Sequence, residues 1–185
     1  MAAYDPDADI CAQLRELNLS QDLLFPDAVV FSEQVDDLSV EIALQWTNGI
    51  AEQIRSYAND SPTTQGGMHV EGFSKALTDR VKANAGSADS TGVSLFGEDI
   101  REGLRAIIRT HCDDPSFEPI HDDGINGRKL STVGIREFVY WVTSKHLSSW
   151  LDEHPTEATL IVHKSISAAH DRVLARAQRG QGRGR

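Results

Sequence analysis

The sequence contains little cysteine, no long apolar run and no excess of basic residues. Its two cysteines, Cys11 and Cys112, show no Cys-x-x-Cys spacing, which predicts a pair of reduced thiols. No apolar stretch approaches the length of a membrane span, and the first ten residues are acidic and lack the apolar core of a signal peptide. Acidic residues outnumber basic ones by 28 to 18, so the surface as a whole should repel nucleic acid and anionic membranes. Together these absences predict a cytoplasmic protein.

The composition that remains is that of one soluble globular domain. The chain has 185 residues, of which 39% are hydrophobic and 25% are charged. Charge is uneven, because the last fourteen residues, RVLARAQRGQGRGR, carry five arginines and no acidic residue. This tail is either a solvated, frayed chain end or a contact to nucleic acid through phosphates. No aromatic residue is interleaved to stack on bases, which weakens the second interpretation.

The strongest local pattern is LSVEIALQW at 38–46, where apolar and polar residues alternate as in a half-buried strand. Asn48-Gly49 follows and could supply the positive φ angles of a tight turn. The next segment, 50–57, would place Ile50, Glu52, Ile54 and Ser56 on one face. We therefore predict an antiparallel hairpin over 38–57.

Helical periodicity dominates the later part of the chain. Apolar residues recur every three or four positions over 70–81, again over 135–151, and over 162–177 after a restart at Pro155. Segment 86–92, GSADSTG, predicts a polar loop, and 97–112 predicts a short helix that runs into a strand. Strands early and helices late predict an α+β domain.

Three motifs carry a resemblance to a known family: VEIALQW-TNG (40–49), GGMHVEGFSKALT (66–78) and GEDIREGL (97–104). They resemble the second, transducer domain of the ATPase subunit of bacterial type II topoisomerases, the gyrase B and topoisomerase IV B subunits. The resemblance implies an open β-sheet backed by helices, with a left-handed βαβ crossover, followed by C-terminal helices. The resemblance covers a transducer-like domain at 9–178, and the composition on either side predicts an acidic lead at 1–8 and a flexible Arg/Gly tail at 179–185.

The same resemblance sets expectations about function. In that family a preceding domain holds ATP, and the transducer extends a Gln-Thr-Lys loop whose lysine reaches the γ-phosphate. The sequence shows neither a glycine-rich nucleotide lid nor an acidic metal motif, so we expect no complete topoisomerase and no cofactor. The expected role is a stand-alone, non-catalytic domain that touches gyrase or topoisomerase IV subunits as a modulator or decoy in DNA topology.

The loop FEPIHDDGINGRKLSTVG (117–134) departs from the family pattern. Residues 119–123 look inserted, and Gly127 stands where the resemblance places the phosphate-sensing lysine. Lys129 could substitute for that lysine only if the loop shifted by about two residues. Gly124–Gly127 offers backbone amides to an anion but lacks the Lys-Ser/Thr of a phosphate loop.

The charged residues of this loop allow two interpretations. His121, Asp122 and Asp123 could ligate a metal or act in acid–base catalysis, or they could form a surface turn. If the fold has been repurposed as a small-molecule binder or biosynthetic enzyme, His121 would carry the proton. Asp122, Asp123 and Lys129 would then orient it or hold an anionic substrate. Otherwise the loop is a polar connection. His69, in GGMH, is expected to order the entry into a helix.

Overall fold

The computed structural model describes residues 6–86, 92–118 and 129–181. Its helices are α1 (Pro6–Leu17), α2 (Met68–Ala85), α3 (Gly97–Ile100), α4 (Ile135–Glu153) and α5 (Pro155–Gln181). Its strands are β1 (Val29–Val35), β2 (Leu38–Trp46), β3 (Gln53–Ala58), β4 (Ser61–Pro62), β5 (Leu104–His111), β6 (Phe117–Glu118) and β7 (Lys129–Leu130). None of the helices in these ranges is both long enough and apolar enough to cross a membrane.

Five of the strands form one mixed sheet in the order β1-β2-β5-β3-β4. Strand β2 is antiparallel to both β1 and β5, whereas β3 runs parallel to β5. The connection from β3 to β5 passes through α2 and α3, which gives the βαβ crossover that the resemblance implies. The fold is therefore α+β, with a mixed sheet backed by helices, as expected.

Helices cover the sheet on both faces. On the inner face, α2, α4 and α5 pack against apolar side chains of β2 and β5. This main core includes Trp46, Phe73, Leu77, Ile108, Val139 and Ile161. On the outer face, α1 packs Ile10, Leu14 and Leu17 onto Ala43 and Ile107. Burial on both faces explains why the first five residues of β5, from Leu104 to Ile108, are apolar except at Arg105.

The predicted hairpin over 38–57 is wrong. Both strands exist, but β5 lies between them and pairs with each, so β2 and β3 are not neighbours. Neither Asn48 nor Gly49 has a positive φ. Instead the Asn48 side chain donates to the Asp22 carboxylate at 2.8 Å, and the Gly49 carbonyl accepts a hydrogen bond from Lys164 Nζ at 2.9 Å. Contacts to distant segments thus fix this connection.

The prediction that the second strand begins at Ile50 is also wrong. Strand β3 begins at Gln53, and Ile50 is 79% exposed in the connection before it. Ile54 and Ser56 do lie on the inner side, half-buried and buried respectively. Strand β5, buried on both faces, pairs more favourably with two partners than it would at an edge, and no local pattern in 38–57 records that preference.

The predicted helices over 70–81, 135–151 and from Pro155 onward are confirmed, as is the short helix that leads into a strand at 97–112. Strand β1 and helix α1 were not predicted. Most of the loop at 86–92 lies outside the described residues. The domain boundaries at 8/9 and 178/179 stay predictions.

Candidate functional site

The base of the 117–134 loop is a short stem of two paired strands. Phe117 pairs with Leu130 and Glu118 pairs with Lys129, in an antiparallel register. The stem brackets residues 119–128, and these lie outside the described residues. The three candidate catalytic residues His121, Asp122 and Asp123 fall in that segment, so their roles stay predictions.

The stem is fixed to the start of α2 through two glycines. The Leu130 N–H donates to the Gly66 carbonyl at 3.1 Å, and Gly67 forms a parallel bridge with Leu130. A Cβ on Gly67 would overlap the backbone of Leu130, and its φ of +140° is rarely adopted by other residues. The Gly-Gly of the 66–78 motif is thus required for close contact between the stem and α2.

Lys129 is paired within this stem. Its Nζ lies 2.9 Å from Glu118 Oε2, and this hydrogen bond raises the pKa of Lys129. Both side chains are partly exposed. A second ion pair, between Arg136 and Glu71 at 2.5 Å, joins α4 to the first turn of α2 close by. Lys129 is therefore oriented by a carboxylate of its own stem, and its role as a phosphate ligand stays a prediction.

His69 lies in the first turn of α2 and is fully buried. Its Nε2 lies 3.1 Å from Thr63 Oγ1, and that hydroxyl lies 2.6 Å from Ser56 Oγ. Burial lowers the pKa of His69 to about 4, so the ring is neutral near neutral pH. These two hydrogen bonds link β3 to the start of α2. His69 therefore orders the entry into the helix, as expected. No sequence pattern indicates Ser56 or Thr63, because the bonds join residues brought together by a turn.

A cavity of about 310 Å³ lies beside this chain of hydrogen bonds. Its walls come from β3, from β4 and the turn after it, and from the first turn of α2, and they include Ile54, Ser56, Tyr57, Thr63, Gly66 and Val70. Arg55 is the charged residue of this lining, which has hydroxyls and a cation but no carboxylate, thiol or imidazole. Such a lining can bind a small polar group, but it offers no nucleophile or base other than hydroxyls.

Metal binding finds no support in the described ranges. There, no three or more His, Cys, Asp or Glu residues lie close enough together to hold an ion. Both cysteines have free thiols, Cys11 half-buried and Cys112 buried.

Comparison with known proteins gives one consistent family. The family model described as DNA gyrase B matches residues 11–181. The DNA gyrase B protein of Streptomyces coelicolor is 39% identical over 163 residues, which cover 85% of this chain and 23% of that protein. The DNA gyrase B protein of Mycobacterium tuberculosis is 34% identical over 169 residues, which cover 90% and 24%. The chain thus spans about a quarter of the length of these relatives.

Solved structures show the same relationship in three dimensions. The 43K ATPase domain of Thermus thermophilus gyrase B, in complex with an aminocoumarin, superposes with a TM-score of 0.83 at 27% identity. The match covers 93% of this chain and 46% of that chain. The topoisomerase IV ATP-binding domain of Francisella tularensis shares the fold, with a TM-score of 0.70 at 23% identity over 91% of this chain and 43% of that chain. On the extent of the family match and the identity to its members, this chain belongs to the DNA gyrase B family.

Proposed function

We propose that this chain is a transducer-like module of the gyrase B type, non-catalytic by itself, which acts on gyrase or topoisomerase IV subunits. The observation that carries the proposal is the anchored stem. The stem that brackets residues 119–128 is hydrogen-bonded to Gly66 and contains the Lys129–Glu118 ion pair. A loop on such a base can pass a displacement to the body of the domain.

The route for that displacement runs through α2. Leu130 contacts Gly66 and Gly67 directly before α2 begins, and Gly72 lies against the backbone of α4 at Arg136. Helix α4 leads within two residues into α5. Contiguous packed backbone therefore joins the stem to the two C-terminal helices, which provides a physical path for coupling between the two ends of the domain.

Three features support the absence of independent nucleotide chemistry. Lys129 is bonded to Glu118. His69 is neutral and buried. The cavity beside it offers hydroxyls and one arginine but no acid–base pair. The chain also matches 46% of the Thermus ATPase-domain structure, so it corresponds to less than half of that unit.

A calorimetric titration with a non-hydrolysable ATP analogue and Mg²⁺ tests the nucleotide part of the proposal. The dissociation constant should be weaker than roughly 100 μM, equivalent to about 5.5 kcal/mol of binding free energy. Lys129→Ala should behave like wild type, with Arg101→Ala as a control at an ion pair with Glu52, away from the stem. Any tighter binding would overturn this part, and its loss in Lys129→Ala but not in Arg101→Ala would assign the bound nucleotide to the stem.

A supercoiling assay tests the partner. Added to reconstituted gyrase or topoisomerase IV, the folded chain should change activity in proportion to its concentration, while a heat-unfolded sample should not. No change at a large molar excess over either enzyme would contradict a role as modulator or decoy. A repurposed biosynthetic enzyme receives no support from the comparisons, which match gyrase B and topoisomerase IV proteins.

A further inference from the structure

Arg105, at the start of β5, is a buried cation held by neutral groups. Its side chain faces the outer side of the sheet, and the residue is 9% exposed. Its Nη1 donates to Gln53 Oε1 and its Nη2 donates to Gln21 Oε1 at 2.9 Å, whereas its Nε has no hydrogen-bond partner. In the parts of the chain that the structure describes, no carboxylate lies within ion-pair distance of this guanidinium.

Other arginines near β5 are arranged differently. Arg109 is paired with Asp9 and Glu41 on the same face, and Arg101 is paired with Glu52. A buried charge without a counter-charge is costly, because amide oxygens replace only part of the hydration that the ion loses. Arg105 thus retains an unsatisfied preference for an anion.

The cover over this guanidinium is thin on one side. Gln21 is exposed, and it lies in a loop fixed by a hydrogen bond from the Asn48 N–H to the Asp22 carbonyl at 2.7 Å. Rotation of the Gln21 side chain alone would open Nη2 to an approaching group, without a change in the loop backbone. The acidic residues next in sequence to Gln21 and Gln53 are engaged elsewhere, Asp22 with Asn48 and Glu52 with Arg101.

Two large apolar side chains are exposed on the two loops that lead to Gln21 and Gln53. Leu19, two residues before Gln21, is 71% exposed, and Ile50, three residues before Gln53, is 79% exposed. The hydrogen bonds between Asn48 and Asp22 hold their two loops together. A buried arginine flanked by exposed apolar residues has the composition of a protein-binding hot spot.

We propose that Arg105 is the docking point for an acidic side chain of a partner protein. An aspartate or glutamate of the partner displaces the Gln21 side chain and pairs with the guanidinium, while its apolar neighbours pack on Leu19 and Ile50. Charge complementarity selects this partner, since a carboxylate supplies the counter-ion that the described residues do not. The inference uses this chain alone and is independent of the proposed role toward gyrase.

The first test is an NMR titration of the isotope-labelled chain with the peptide acetyl-Leu-Glu-Leu-amide, and with acetyl-Leu-Gln-Leu-amide as the matched neutral probe. The glutamate peptide should shift the resonances of Arg105, Gln21 and Gln53, with a dissociation constant in the millimolar range. The glutamine peptide should bind at least about fivefold more weakly, because it brings no charge. Equal binding of both peptides, or no shift at these residues at solubility-limited peptide concentration, would overturn the proposal.

Variants of the site give the second test. Gln21→Glu replaces the amide that accepts from Arg105 Nη2 with a carboxylate. Because this supplies a counter-charge, it should raise the melting temperature and abolish the peptide response. Arg105→Gln should abolish the response as well. Arg55→Gln should keep it, since Arg55 is an exposed arginine of β3 on the same outer face of the sheet. If Arg105→Gln fails to fold, Gln21→Glu decides the question. A Gln21→Glu protein that is no more stable than wild type and still binds the peptide would show that Arg105 needs no counter-ion.

Discussion

Asp99 and Arg172 form a two-point ion pair that joins α3 to α5 across 73 residues of sequence. Arg172 Nε lies 2.7 Å from one carboxylate oxygen and Nη2 lies 2.9 Å from the other. The second oxygen also accepts the Phe96 N–H at 2.7 Å, and the guanidinium lies over the Phe96 ring. The hydrogen bond to Asp99 raises the pKa of Arg172. One carboxylate thus caps α3 and holds α5 in place.

Asp99→Asn should lower the melting temperature by roughly 5–10 °C, because it removes the charge that accepts both short hydrogen bonds of the Arg172 guanidinium and leaves it only the longer ion pair with Glu98, at 3.5 Å. Differential scanning calorimetry at neutral pH measures this change. Asp171→Asn, at an exposed acid on α5 next to Arg172 in sequence, is the matched control and should change the melting temperature little. Equal losses in the two variants would show that the pair itself contributes nothing specific.

Acid should destabilise the protein through His69. The pKa of His69 in the folded state is about 4, below the ordinary value of 6.5, so the unfolded chain binds the proton first. The stability that comes from burying the neutral ring is fully present above pH 6.5 and is lost as the pH falls toward 4. The loss should approach roughly 3 kcal/mol, which chemical denaturation at a series of pH values will measure.

Variants of two histidines test whether His69 causes this dependence of stability on pH. His69→Gln should give a flatter dependence between pH 6.5 and 4, since the titrating ring is gone. His170→Gln, at an exposed histidine on α5, should keep the slope of the wild type. An unchanged slope in His69→Gln would assign the acid sensitivity to other groups.

Gly72 should be intolerant of even one added methyl group. A Cβ at this position would overlap the carbonyl oxygen of Arg136 in α4. Gly72→Ala should therefore separate the helices and lower stability by about 1–3 kcal/mol, despite the higher helix propensity of alanine. Gly49→Ala is the control, because its Cβ would meet a neighbour only at 3.4 Å. Equal melting temperatures for the two variants would contradict this account of the helix contact.

His121→Ala and Asp123→Ala test the loop beyond the stem. If the chain is a transducer-like module, both variants should match wild type in melting temperature and in their effect on gyrase supercoiling. Loss of a product made by the native host, with an unchanged melting temperature, would instead establish a catalytic loop. Lys129→Ala belongs in the same series, since it removes the pair with Glu118 and leaves the backbone stem intact.

Part of the site could be predicted from the sequence. The Gly-Gly before His69 and the Lys129-Leu130 pair after the loop were both located, and the structure brings them together at one stem. Arg105 was not singled out. Its significance depends on Gln21 and Gln53, which lie 84 and 52 residues away in sequence, and on burial that a single arginine in an apolar strand does not reveal.

The sequence by itself determined the local elements whose signals are short-range: the alternating strand 38–46, the helical stripe 70–81 and the helix restart at Pro155. Apolar periodicity and the special backbone preferences of glycine and proline act within a few residues, so these elements can be identified locally. Only the tertiary structure decided which strands pair. Strand β5 separates β2 from β3 because a strand buried on both faces gains most from a central place, and that preference is satisfied by residues far apart in the chain.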